Sequence, residues 1–190
     1  NLIFEEFPPE VRIIHGDTRF PPHWIPLMDN TYDAHVLLCQ HARFDAEDAV
    51  LPHSGFVIND KKVGEAGMLA AVAGYFNVPT IIITGDSAVV QEIKNLIPEV
   101  ESVVEKEALS PCNAISLAPS RVKQLIMGTA EKALKRVKEI PPLKLSTPYE
   151  LKYIYGKETF RGDNLYKLLN DVLKSAGYKY GTKLIRKGIS

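Results

Sequence analysis

The sequence predicts an α/β fold, a mostly parallel sheet sandwiched by helices, with a small α+β appendage toward its C-terminal end. Three observations carry that expectation. Short β-branched apolar runs alternate with longer amphipathic stretches, the pattern of strand–helix units around a parallel sheet. The run Thr80-Ile81-Ile82-Ile83-Thr84, set between Pro79 and Gly85-Asp86, has no polar alternation, as a strand covered on both faces requires. Pro141-Pro142 then breaks the alternation, and a further strand and helix follow.

Taken in order, strands are expected at Val11 to Ile14, Ala34 to Cys39, Phe56 to Ile58 and Thr80 to Thr84, with a hairpin at Asn59-Asp60-Lys61-Lys62. Helices are expected from Glu65 to Phe76, Ser87 to Leu96 and Pro119 to Glu139. Ser87 is placed to cap its helix, and Pro119 suits a first turn because its missing N–H has no intrahelical partner there. Lys132, Lys135, Arg136 and Lys138 complement the carbonyl end of the third helix and form a solvated face. Beyond the two prolines, a strand from Glu150 to Tyr155, a loop, and a helix from Asp163 to Ser175 complete the reading. The Lys-, Arg- and Gly-rich tail, residues 178–190, is expected to be weakly ordered or docked on a neighbour. The chain thus divides into a core of residues 1–143 and an appendage of residues 144–190, either separate or part of the same domain.

Composition narrows the class of function. A 190-residue chain with 45% hydrophobic residues can bury a continuous core. Its 23 basic residues balance 23 acidic ones, so no long-range field exists to hold nucleic acid as the main partner. Cys39 and Cys112 lie far apart, with no short-spaced pair to suggest a disulfide framework, and a reducing, cytoplasmic setting is expected. No apolar run is long enough for a membrane span, and no partnership with a membrane is expected.

Histidines and one glutamate are the candidate chemical groups. His41 follows the apolar run from Ala34 to Cys39 and therefore falls at the carboxyl end of a strand, where open α/β sheets place their ligands. A hydrogen-bonded loop histidine is the other reading. His53, in Leu51-Pro52-His53-Ser54-Gly55, sits in a loop stiffened at both ends, either over a cleft or simply exposed. Glu65 opens an apolar helix between small neighbours, either facing a crowded site or serving as an acid favoured by the helix dipole. Imidazole nitrogen and carboxylate oxygen are zinc-ligand types, but His41 and Glu65 alone do not complete a catalytic zinc site. His35 reads as a satisfied core or interface residue, His23 lies far from the cluster in sequence, and His15 ends another strand candidate.

Read as an ordered set, Gln40-His41-Ala42, Pro52-His53-Ser54 and the stretch from Ile58 to Glu65 resemble the zinc-dependent D-aminopeptidases of bacterial dipeptide-uptake operons. The likeness continues through Val72 to Pro79, Gly85-Asp86, Leu96-Ile97-Pro98 and Leu117-Ala118-Pro119, and covers roughly residues 1–140. The resemblance implies two zinc ions, with His41 and Glu65 as metal ligands and His53 as the catalytic histidine. It implies zinc that polarises the scissile carbonyl and activates water, short peptides with an N-terminal D-amino acid as substrate, and a ring-shaped homo-oligomer. The family's Asp-x-Glu-Gly and Asn-Asp-Ser-His motifs, which supply three further ligands, do not occur here. Asn1-Leu2 aligns just past the second, so the chain is expected to be N-terminally incomplete and, alone, to bind zinc weakly or not at all.

Two other readings stand beside this one. A catalytically inactive relative could keep the fold as an assembly or binding module. A nucleotide-binding α/β domain is disfavoured, because no Gly-rich phosphate loop follows any expected strand.

Overall fold

The computed structural model describes residues 3–14, 25 and 27–176. After a single 3-10 turn at Phe4–Glu6, the elements run β1 (His35–Gln40), β2 (Phe56–Ile58), β3 (Lys61–Val63), α1 (Glu65–Tyr75), β4 (Thr80–Asp86), α2 (Ser87–Leu96), β5 (Glu101–Ser110), β6 (Asn113–Ser116), α3 (Pro119–Lys135), β7 (Tyr149–Tyr153), β8 (Phe160–Gly162) and α4 (Leu165–Ser175). They form two sheets. The first has the order β1-β4-β5-β6, parallel across β1, β4 and β5 and antiparallel at the β5–β6 hairpin. The second, β3-β2-β7-β8, is antiparallel throughout.

The mixed α/β architecture with a mostly parallel, helix-flanked sheet is as expected, and most elements fall where local chemistry places them. All seven residues of β4 are buried, which explains its unbroken apolar run. The β2–β3 hairpin turns at Asn59-Asp60, whose φ angles of 46° and 64° suit a residue pair that tolerates the left-handed region. Helix α1 is built from Ala, Gly and Met because it is wedged between two cores. Ala66 and Ala70 pack with Ile81, Ile83 and Ile93, while Met68 and Val72 pack with Phe56, Leu151 and Leu169.

Several expectations are corrected. Val11 to Ile14 forms no strand; Val11 and Ile14 are exposed, and no partner strand meets them among the described residues. Helix α2 is capped by Asp86, whose Oδ1 accepts from Val89 N–H at 2.8 Å, rather than by Ser87. Helix α3 stops at Lys135, four residues short of Glu139, and continues as turns in which Arg136 and Glu139 still pair. The hairpin of β5 and β6 and the short β8 were not expected. Strand β7 bonds to β2, so the segment after residue 143 shares a sheet with strands from the segment before it. The tail, His15 and His23 lie outside the described residues.

Candidate metal centre

Two strand ends bring the site together. β1 runs parallel to β4, with Gln40 opposite Gly85, and a Cβ built at Gly85 would lie 2.2 Å from the Gln40 carbonyl oxygen. Only glycine lets β1 approach this closely, so the segment carrying His41 leaves the sheet directly beside the end of β4. Cys39 adopts φ 53° at this point, and its N–H is taken by the Thr84 hydroxyl at 2.9 Å. The loop that follows returns as Ser54-Gly55 into β2, and the hairpin then delivers Glu65 to the first turn of α1.

His41, His53 and Glu65, read separately from the sequence, converge. One ligand atom from each lies within 4.8 Å of the other two. The imidazole rings of His41 and His53 stack with centroids 3.7 Å apart and planes 16° from parallel. His41 Nε2 lies 3.5 Å from Glu65 Oε2. His35 is elsewhere, at the opposite end of β1, where its Nδ1 meets the Thr80 hydroxyl at 3.0 Å, which makes it the satisfied residue expected.

Backbone carbonyls set the imidazole orientations. His41 Nδ1 lies 2.9 Å from the Ala42 carbonyl oxygen, and His53 Nδ1 lies 2.6 Å from that of Leu51. A carbonyl can only accept, so each Nδ1 carries the proton and each Nε2 is the nitrogen presented to the site. The hydrogen bond to Glu65 raises the His41 pKa above its ordinary value; burial opposes this, and the Ala42 carbonyl and the charges of Glu65 and Asp86 support it. Burial pushes the Glu65 carboxyl up, but hydrogen bonds from His41 and Ser54 and the neighbouring imidazoles outweigh it and hold the group below the usual range. A proton on Nε2 and a divalent cation compete for one position between these groups, and the donor set, two imidazole nitrogens and a carboxylate, fits zinc.

Sequence reasoning missed the residues that hold these donors in place. Glu92, on α2, is buried at 6% exposure and accepts N–H bonds from Gly64 at 2.6 Å and Arg43 at 3.2 Å. Burial raises its pKa, against the lowering effect of those two N–H groups, Arg43 and His41. Asp86 accepts from Val50 N–H at 2.9 Å with the oxygen not used for capping, and so ties down the loop that leads to His53. A signal for Glu92 existed: position 92 falls on the inner stripe of α2 with Val89 and Ile93, where a charge demands a reason.

A strand-end histidine, a loop histidine and a first-turn glutamate that meet beside a parallel sheet define an α/β protein with a candidate metal centre. The comparisons give that class a family. The family profile for D-aminopeptidase peptidases matches residues 1–160, and the chain belongs to this family. A D-aminopeptidase of Bacillus subtilis (strain 168) is 33% identical over 149 residues, covering 75% of this chain and 54% of the relative. The chain therefore spans about half the length of that curated relative. Among solved structures, the Zn-dependent D-aminopeptidase DppA from Bacillus subtilis, a self-compartmentalizing protease, superposes with a TM-score of 0.82 at 26% identity, over 94% of this chain and 76% of its own.

Proposed function

We propose that the protein is a zinc-dependent aminopeptidase acting on short peptides with an N-terminal D-amino acid, with His41 and Glu65 as metal ligands and His53 as the catalytic histidine. The observation that carries this reading is the meeting of His41, His53 and Glu65 within 4.8 Å in a chain of the D-aminopeptidase family. When bound, zinc supplies Lewis-acid chemistry to the scissile carbonyl. The chain's own residues do the rest. Glu65 and His41 face each other across the cation position, and Ser54 holds the carboxylate by a hydrogen bond. His53 keeps its Nδ1 proton on the Leu51 carbonyl, which leaves Nε2 to receive a proton and deliver it to the departing amine. Its ring is more exposed than that of His41, as a group that meets substrate must be.

Two ions per site, a ring-shaped homo-oligomer and a cytoplasmic setting belong to the same proposal. The self-compartmentalizing relative supports assembly. Metal analysis and dipeptide hydrolysis by the full-length protein test the reading. His41→Ala and Glu65→Ala are expected to strip zinc, whereas His53→Ala retains it and loses turnover by roughly 100-fold or more. Zinc lost from His53→Ala but retained by Glu65→Ala would reverse the assignment, and faster cleavage of L,L-dipeptides than D,D-dipeptides would overturn the substrate class.

A further inference from the structure

Glu92 bonds to two chain segments at once. Gly64, which donates to Oε1, immediately precedes Glu65. The Arg43 N–H, which donates to Oε2, belongs to the same peptide unit as the Ala42 carbonyl, and that carbonyl accepts the proton of His41 Nδ1. Carboxylate, peptide and imidazole therefore form one hydrogen-bonded chain. Drawing the N–H toward Glu92 fixes the direction of the carbonyl, and the carbonyl fixes which imidazole nitrogen is protonated and where Nε2 points. The two segments also touch: a Cβ built at Gly64 would lie 3.0 Å from the Arg43 nitrogen.

We propose that Glu92 is the positioning residue of the metal centre, holding His41 in its Nδ1-protonated tautomer through the Ala42–Arg43 peptide and setting Glu65 against it through Gly64. This rests on the reading of His41 and Glu65 as zinc ligands. Glu92 itself touches neither substrate nor reacting atoms. Carboxylates that orient metal-binding imidazoles commonly contact the ring; here a peptide unit stands between, and one carboxylate serves both donors. Packing alone does not account for it, because an apolar side chain like those of Val89 and Ile93 would fill position 92 without burying a charge.

The test uses the full-length protein, zinc in competition with a chromogenic chelator, and imidazole nitrogen NMR shifts of the metal-free protein at alkaline pH, where histidine is neutral. Glu92→Gln keeps an acceptor for one N–H and presents an NH2 group to the other. It is expected to lower zinc affinity about 10- to 100-fold and to move His41 from a single tautomer to a mixture. Glu92→Asp, charged but one methylene shorter, is expected to shift both readouts in the same direction by less. Leu169→Ala, in the other core, lowers the melting temperature and leaves both unchanged. Unaltered zinc affinity in both Glu92 variants overturns the proposal, as does lowered affinity with His41 still in one tautomer. If the unsubstituted protein takes no zinc, the ligand reading fails instead, and the tautomer alone decides whether Glu92 holds His41.

Discussion

The two sheets bury different kinds of side chain. Around the parallel sheet, Thr84, Asp86, Glu92, Glu101 and Glu105 are all buried. The antiparallel sheet and α4 instead enclose Phe56, Ile58, Leu151, Leu165, Leu169 and Leu173, and that core holds no buried carboxylate among the described residues. Buried carboxylates are tolerated only where donors meet them. Thr84 donates to Glu105, backbone N–H groups reach Asp86 and Glu92, and Lys132 and Arg136 pair with Glu101. Of these, Asp86 and Glu92 hold the loops beside His41, His53 and Glu65. Apolar and aromatic burial in the second region, with edge-on pairs such as Phe76 with Tyr166 and Tyr75 with Tyr149, supplies area and fixes no donor. Both sides of α1 carry an apolar core, but among the described residues the buried carboxylates lie only on the side of the parallel sheet.

The sharpest way to break that division is to damage one side and measure the other. Leu169→Ala, at a fully buried position, is expected to cost about 2–5 kcal/mol of stability while zinc affinity stays as it was. If affinity fell in step with stability in denaturant titrations, the two regions would be one energetic unit.

A matched pair of helix caps sharpens the comparison next. Asn164 caps α4 by accepting from Lys167 N–H and is exposed, so Asn164→Ala is expected to cost about 1 kcal/mol. Asp86→Ala removes a cap and also leaves the Val50 N–H without its acceptor, for a total of about 2–4 kcal/mol. Only the second is expected to slow peptide hydrolysis, because only Asp86 anchors the loop leading to His53. Equal effects of both on turnover would show that α2 has no special link to the site.

A further, modest effect is a pH dependence confined to the first region. Burial lowers the His35 pKa from 6.5 to about 4 in the folded protein. The unfolded chain binds a proton in that interval and the folded chain does not. The stabilising contribution is therefore complete above pH 6.5 and is lost as pH falls toward 4. The ring is only partly buried, so the loss is roughly 1–2 kcal/mol. Urea unfolding of His35→Phe across this range is expected to show a flatter pH profile; an unchanged profile would assign the acid sensitivity elsewhere.

Legibility differed along the chain for physical reasons. Strand β4 and helix α1 could be read because burial on all sides leaves only apolar and small residues. Strand β5 could not, since its inward-facing positions include Glu101 and Glu105, and acids at those positions erase the period-two pattern. Strand β8, three residues long, carries too short a pattern to register. The overrun of α3 has a similar origin: the spacing of Arg136 and Glu139 imitates a helical pair across turns that are no longer helix. The cap of α2 was displaced by one residue because Ser87 and Asp86 are both good caps, and the Val50 N–H favours the one that can accept twice.

Sequence alone determined the α/β class and the helix and hairpin positions near the site, and offered His41, His53 and Glu65 as candidates, because local patterns and residue chemistry are written in consecutive residues. Only the tertiary structure decided that these three side chains meet, that β7 and β8 complete a sheet begun by β2 and β3, and that Glu92 bonds to the segments that carry His41 and Glu65. Those facts depend on contacts between residues 12 to 97 positions apart. No local propensity encodes such a contact; it exists only once both cores have closed on α1.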